Sequence, residues 1–290
     1  MDGQSRRQAN RRSDHRVRAY RAARAAASIG LACLLGAGLA AAQQAPNVAE
    51  EIEKYRAALG DDNPAELWEL RGETLWKQKR GPKGASLEQC DLGLGPGVVK
   101  GAYTVLPKYF ADTDKVEDLE SRLVTCMVTL QGFTREQAKK DPFGDPGKKV
   151  VMDALVAYIT GQSKGIPMNV AATHPKEQEA YELGRKIFFY RGSTHDFACA
   201  TCHGFDSQRI RLQELPNLSK PADARKAYTT WPGYRVSQGE VRSFEWRLND
   251  CFRQQRFPEL DYASPAAIAL TMYLAKNANG APFAAPSIKR

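Results

Sequence analysis

Apolar residues along the chain gather into a few stretches with distinct signatures. The first, residues 25–42, is predominantly Ala, Gly and Leu and is followed by the polar Gln43-Gln44. Two later stretches, Ala154-Leu155-Val156-Ala157-Tyr158-Ile159 and Ala269-Leu270-Thr271-Met272-Tyr273-Leu274, read as helices, and each is followed by a G-x-P step, at Gly165-Ile166-Pro167 and Gly280-Ala281-Pro282. A further helix is expected over 182–189, where Gly184 and Phe188 form a G-x-x-x-F pattern. Residues 46–68 are helix-prone at 49–58 and suit an N-terminal extension or a partner-binding segment, while residues 216–234 read as irregular chain. The pattern predicts a mostly α protein with long loops.

The chain also repeats itself. At a separation of 112 residues Gly72 matches Gly184, Trp76 matches Phe188 and Cys90 matches Cys202. At a separation of 125, Pro107-Lys108-Tyr109 matches Pro232-Gly233-Tyr234, and Glu120-Ser121-Arg122-Leu123-Val124-Thr125-Cys126 matches Glu245-Trp246-Arg247-Leu248-Asn249-Asp250-Cys251, both E-x-R-L-x-x-C. The second copy has therefore gained thirteen residues between its landmarks. Two tandem domains are expected, over 43–168 and 179–290, joined by a linker around 169–178 that includes Pro175.

Composition is that of a globular protein, with 42% hydrophobic and 26% charged residues in 290. The net charge of +9 does not mark a nucleic-acid binder, because residues 1–42 hold eight arginines and two acidic residues and the rest carries only about +3. An Arg-rich start, a short apolar core and Ala40-Ala41-Ala42 are the features of a cleaved export signal, here residues 1–42, with Cys33 inside it. Export to the periplasm is expected, with no membrane association once the signal is removed. Five cysteines then remain in an oxidising compartment: Cys90, Cys126, Cys199, Cys202 and Cys251.

Cys199-Ala200-Thr201-Cys202-His203 is C-x-x-C-H, the attachment signature of c-type haem. Two thiols one turn apart add to the porphyrin vinyl groups, and the adjacent histidine gives its imidazole to the iron. With the glycine-bearing helix upstream, this region resembles the class I cytochromes c, which implies that Gly184 lets a C-terminal helix cross closely. The first copy has Leu87, Cys90 and Asp91 where the second has Cys199, Cys202 and His203, so one covalent haem c is expected, in the second domain only.

The repeat also bears on the other cysteines. Cys90 and Cys126 sit in a copy that cannot attach haem by the usual chemistry, and a disulfide between them is the parsimonious expectation. The equivalent pair in the second copy is Cys202 and Cys251. With Cys202 committed to a thioether, the Cys251 sulfur is expected to face the haem and to be the second axial ligand opposite His203. Met272, His195 and His174 are the alternatives for that position. A methionine ligand would fit a simple electron-transfer cytochrome, and ligand-dependent loss of Cys251 would fit a redox sensor.

At these residues the chain resembles the SoxA family, the larger subunits of the SoxAX cytochromes of bacterial thiosulfate oxidation. The resemblance spans roughly residue 50 to the end and is most specific at Arg247-Leu248-Asn249-Asp250-Cys251. It implies that Cys251 is the catalytic cysteine, modified to a persulfide, that Arg247 binds substrate, and that the activity is that of an L-cysteine S-thiosulfotransferase. It further implies a SoxX-like haem subunit, a SoxYZ-like carrier whose cysteine receives thiosulfate, and a cytochrome c acceptor. Lacking a first-domain C-x-x-C-H, the chain resembles the single-haem members. For Arg247 an ion pair with Glu245 or Asp250 is the structural alternative, and Arg253 and Arg256 either extend a positive funnel or form solvated surface.

Overall fold

The computed structural model describes residues 63–140, 151–210 and 213–289, together with Lys54 and Ala58. The expected signal, Cys33 within it and most of the segment 46–62 lie outside the described residues. Those described from 63 onward belong to one compact unit. In chain order the elements are α1 (Ala65–Lys77), a 3-10 turn (Ala102–Val105), β1 (Lys108–Phe110), β2 (Lys115–Glu117), α2 (Leu119–Thr129), α3 (Arg135–Lys140) and α4 (Val151–Gly161). There follow α5 (Pro175–Phe189), α6 (Cys199–His203), β3 (Arg209–Ile210), β4 (Gln213–Glu214), α7 (Pro221–Tyr228), β5 (Gly233–Arg235), β6 (Glu240–Arg242), α8 (Phe244–Gln254), α9 (Pro265–Asn277) and β7 (Ser287–Lys289). The protein is mostly α, as expected.

Two helix pairs set the frame, α1 on α4 and α5 on α9. In each pair a glycine meets the partner backbone. A Cβ on Gly72 would lie 2.0 Å from the Ala154 carbonyl oxygen, and one on Gly184 would lie 1.9 Å from that of Ala269. Neither contact leaves room for a side chain, so the helices touch main chain to main chain. One turn later an aromatic seals each crossing. Trp76 lies 6.4 Å from the Tyr158 ring, and Phe188 lies 5.3 Å from that of Tyr273.

The helix starts are fixed by side chains that take up otherwise unpaired N–H groups. Asp118 caps α2 by accepting from Ser121 N, Ser243 caps α8 by accepting from Trp246 N, and Ser264 caps α9 by accepting from Ala267 N. The β1–β2 hairpin pairs Lys108 with Glu117, and the β5–β6 hairpin pairs Gly233 with Arg242, both antiparallel. The bounds of β1, β2 and α2 recur residue for residue 125 positions later in β5, β6 and α8. The third strand of the second sheet is β7, parallel to β5.

Matched residues also meet one another. Tyr103 and Tyr228 share a 3.2 Å hydroxyl–hydroxyl hydrogen bond, with rings stacked at 6.2 Å. The two G-x-P steps pair antiparallel, with Gly165 N donating to Phe283 O at 2.8 Å and Gly280 N donating to Met168 O at 2.9 Å. Asp153 accepts from Arg242 and from Ser243 N, joining α4 to the start of α8. One continuous apolar core runs from Trp76 and Leu87 through Leu123 and Leu155 to Phe188, Leu248 and Leu270.

Two expectations are corrected. Residues 175–178, expected in the linker, form the first turn of α5. Pro175 stands at the start, where no N–H is needed, His174 Nδ1 accepts from Lys176 N, and the Glu177 carboxylate accepts from the Thr173 and His174 amides. The stretch before it is held too, with Asn169 N donating to Thr104 O at 2.7 Å and Val170 N donating to Asn279 Oδ1 at 2.9 Å. Residues 216–234, expected to be irregular, contain α7 and the start of β5, because Pro221 opens a helix whose Ala224 and Tyr228 turn inward.

The glycine contacts predict that Gly72→Ala and Gly184→Ala each cost at least about 3 kcal/mol in urea unfolding, since a main-chain carbonyl cannot move aside as a side chain does. The join between matched residues predicts a pH dependence. Burial, and then the Asp118 charge, pushes Glu120 and Glu245 above the usual carboxylate range. A raised folded-state pKa gives stability that is complete in acid and is lost as pH rises through that value. The melting temperature should therefore fall between about pH 4.5, the ordinary carboxylate value, and about pH 8, the raised value of Glu120, and fall less in Glu120→Gln.

Candidate functional site

The C-x-x-C-H motif lies on the short helix α6, reached from the end of α5 through residues 190–198. Ala198 N donates to Thr201 Oγ1 at 2.9 Å and starts the turn, and Gly204 N bonds to Ala200 O at 2.8 Å and closes it. The loop before it is tied across to the chain just after α8, with Thr194 N donating to Arg256 O at 3.1 Å. Within α6, Cys199 and Cys202 are unbonded thiols, and His203 Nδ1 lies 3.0 Å from Pro216 O. A carbonyl only accepts, so Nδ1 carries the proton and Nε2 keeps its lone pair for a metal. Burial lowers the His203 pKa, which favours the neutral, ligating form.

The third free thiol, Cys251, comes from α8. Burial raises the Cys199 thiol to about 12 and also lifts Cys251, and the charge of Cys251 acts on Cys199 as that of Cys202 acts on both. Arg247, one turn before Cys251, opposes the rise at Cys251 and also acts on His203. The structure thus brings together Cys199, Cys202, His203, Arg247 and Cys251. These donors fit a covalent haem c: two thiols and an imidazole on one helix, with a sulfur side chain arriving from another. Phe189, Tyr190, Phe205 and Ile210, all exposed, flank the motif and offer apolar surface that a porphyrin would cover.

The alternatives for the sixth position differ in how they are held. Met272 is 0% exposed among core residues of α9. His195 is exposed on the loop before α6. His174 caps α5 and stacks on Tyr109 with ring centroids 3.7 Å apart.

The electrostatics centre on Asp250, which accepts from Arg247 at 3.2 Å, Arg253 at 2.7 Å and Gln254 at 2.7 Å. Burial alone would raise its pKa, but the Gln254 and Arg253 hydrogen bonds and the Arg247 charge hold it low. Arg247 is therefore paired with Asp250 and not with Glu245, which instead accepts from Ala263 N. Arg253 reaches back to Asp250 from an exposed position, while Arg256 contributes its carbonyl to the loop before α6. Sequence reasoning missed Arg235, which lies against the Trp246 ring at 5.8 Å and interacts with Arg247 and Cys251.

The first copy places other groups at the same positions. Cys90 and Cys126 form a disulfide with Cα atoms 5.6 Å apart, as expected, and Cys90 is 1% exposed. Asp91, where the second copy has His203, accepts from the Gly93 and Gly95 amides and so builds a turn. Arg122 is saturated by Asp112 at 2.8 Å, Glu117 at 3.2 Å, the Asp91 carbonyl at 2.6 Å and the Phe110 ring at 3.9 Å. Its side chain is 5% exposed, against 31% for Arg247. A cleft of about 420 Å³ beside the disulfide is lined by both signs of charge, including Asp91, Lys108, Asp112 and Arg122.

Comparison with known proteins agrees with this geometry. The family model described as SoxA/TsdA, cytochrome c domain matches residues 71–168 and 183–283. The L-cysteine S-thiosulfotransferase subunit SoxA of Hydrogenophilus thermoluteolus is 55% identical over 239 residues, covering 82% of this chain and 87% of the relative. A SoxA of Hydrogenobacter thermophilus is 32% identical over 259 residues, covering 88% and 94%. In the crystal structure of SoxXA from P. pantotrophus, one chain matches with a TM-score of 0.67 and 23% identity over 82% of this chain and 84% of that one, a likeness of fold.

The Cys90–Cys126 bond closes a long loop, with a sequence separation of 36. Replacing both cysteines by alanine should lower stability by about 2–4 kcal/mol in urea unfolding. The visible absorption spectrum should stay unchanged, since Cys90 and Cys126 are committed to each other.

Proposed function

The chain belongs to the SoxA/TsdA cytochrome c family, and we propose that it is the SoxA-type subunit of an L-cysteine S-thiosulfotransferase. In this reading the chain is two tandem cytochrome c-like domains, the first without haem and the second holding one covalent haem c on Cys199, Cys202 and His203. Cys251 would supply a second ligand sulfur to that haem's iron, alongside the His203 imidazole. The domain join runs through residues 169–174, ahead of α5. After removal of a signal at 1–42 the protein works in the periplasm. Among the described residues no helix is long and apolar enough to cross a membrane.

The observation that supports this reading is the set of charge interactions that link Cys251 on α8 with Cys199 and Cys202, and Arg247 with His203. Arg247 offers a planar fork of donors to the sulfonate of thiosulfate. It lies one turn from Cys251, so the sulfane sulfur of a bound thiosulfate lies next to the Cys251 sulfur. The Asp250 carboxylate holds the guanidinium from the side without burying it. A carrier cysteine approaching the same opening then meets the sulfane sulfur.

The overall step joins thiosulfate to the carrier thiol, releasing one proton and two electrons and forming one sulfur–sulfur bond. A haem bound at this site accepts and passes on electrons one at a time. Two electrons need a second acceptor, which a SoxX-like haem subunit provides before a cytochrome c removes them. The Pro216 carbonyl, by holding the Nδ1 proton of His203, fixes the ring for ligation throughout. Cys251 is the position expected to carry a persulfide.

The test is product formation. Purified holoprotein with its SoxX-like subunit, a SoxYZ-like carrier, thiosulfate and oxidised cytochrome c should give the carrier S-thiosulfonate, read by intact mass. Cys251→Ala should change the visible spectrum and lower turnover roughly a hundredfold or more. Arg247→Ala should keep the spectrum and raise KM for thiosulfate by roughly ten- to a hundredfold. No adduct with the wild-type protein, or an unchanged spectrum in Cys251→Ala, overturns the reading.

A further inference from the structure

The two copies share one backbone around the arginine of E-x-R-L-x-x-C but surround it with opposite charges. Because β1, β2 and α2 match β5, β6 and α8 without a gap, each neighbour of Arg122 has a definite counterpart near Arg247. Phe110, which covers the Arg122 guanidinium, becomes Arg235. Asp112, which neutralises it, becomes Ser237, and Glu117, its second acidic partner, becomes Arg242. Both acids are gone, two cations have arrived, and one new acid, Asp250, stands where the first copy has Thr125.

The two new arginines differ in how they are held. Arg242 is buried and bound on both sides, by Asp153 and by Glu240, so its charge is spent inside the protein. Among the described residues no carboxylate forms an ion pair with Arg235. Its Nε is buried without a hydrogen-bond partner, and its guanidinium rests on the Trp246 ring, the residue next to Arg247. A buried donor with no acceptor is costly unless a ligand supplies one.

We propose that Arg235 is a second substrate-binding residue, which brackets the sulfonate of thiosulfate together with Arg247 and matches its double negative charge. This rests on the reading of the site as a thiosulfate site. One guanidinium fork takes two sulfonate oxygens and the other takes the third, leaving the sulfane sulfur free towards Cys251. Burial, and then the nearby Arg247 charge, pushes Arg235 below its ordinary pKa, which places the two cations in one field. Trp246 orients Arg235 from β5 while α8 presents Arg247, so the two donors come from separate rigid elements. The first copy, with Phe110 at this position and both acids in place, has no surplus positive charge to offer an anion.

The test compares Arg235→Gln, Arg235→Lys and Arg235→Phe, the last installing the residue of the first copy, in the holoprotein with its SoxX-like subunit. Arg235→Gln and Arg235→Phe should raise KM for thiosulfate roughly ten- to a hundredfold, with kcat changed by less than about threefold. Arg235→Lys should recover much of the loss, and the fall of kcat/KM with ionic strength should be shallower in the two neutral variants. Binding of thiosulfate alone, without carrier, measured by calorimetry should weaken in the same order.

If the wild type makes product, Arg247→Ala is impaired and the neutral Arg235 variants keep wild-type KM and thiosulfate affinity, the role of Arg235 is overturned while the site reading stands. If the wild type makes no product, both fall. A purely structural role would lower melting temperature and affinity together in Arg235→Lys as in Arg235→Gln, and that result also overturns the proposal.

Discussion

Two helices can touch main chain to main chain only where one of them lacks a β-carbon, and this condition is met twice here. Gly184 lies against Ala269 as Gly72 lies against Ala154. The crossing fixes the direction of α5 and therefore the point from which the chain leaves towards α6. With α5 held against α9, residues 190–198 have a defined start. Their tie to the Arg256 carbonyl brings α6 up to the end of α8. The position of Cys251 relative to Cys199 and Cys202 is thus a consequence of packing some distance away. The rigidity of the site comes from helices and capped turns rather than from a web of hydrogen bonds at the thiols.

One backbone carries two electrostatic designs. In the first copy the arginine is buried among Asp112, Glu117, the Asp91 carbonyl and the Phe110 ring, an arrangement that favours stability by satisfying its donors. In the second the arginine has one acidic partner, Asp250, which stands where the first copy has Thr125 and which it shares with Arg253. The surplus positive charge near Cys251 is unfavourable for folding on its own, and its retention is what an anion site requires. The same sequence motif therefore spends its arginine on internal partners in one place and leaves it partly exposed in the other. The difference lies outside the motif, in strands β5 and β6.

Much of this was legible in the sequence because it depends on single residues at fixed spacing. The repeated E-x-R-L-x-x-C and the glycine of each crossing identified the disulfide partners and the two helix pairs, and C-x-x-C-H identified the cytochrome c character. What was not legible depends on pairing across the fold. The start of α5 was misplaced because His174 is an uncommon cap, and its role is visible only once Glu177 is seen accepting the preceding amides. The helix α7 was missed because residues 216–234 are crowded with turn formers, whereas only Ala224 and Tyr228 face inward. Arg235 escaped notice for a related reason. Its meaning comes from the residue it replaces 125 positions earlier, Phe110, which lies between the two stretches whose residue types match.

The thirteen residues gained by the second copy have a structural address. They fall between Cys202 and Pro232, the stretch that includes the β3–β4 hairpin and Pro216, which has no counterpart in the shorter segment between Cys90 and Pro107. In the first copy the short connection lets the loop cysteine and the α2 cysteine bond directly, with Cα atoms 5.6 Å apart. In the second copy the equivalent pair, Cys202 and Cys251, remains unbonded. The longer connection supplies the carbonyl that orients His203 and the exposed Ile210 beside the motif. Chain length at this one place thus decides between two ways of filling the centre of the same helical frame. A covalent sulfur–sulfur bond closes the small version, and the large version leaves three thiols and an imidazole for a prosthetic group.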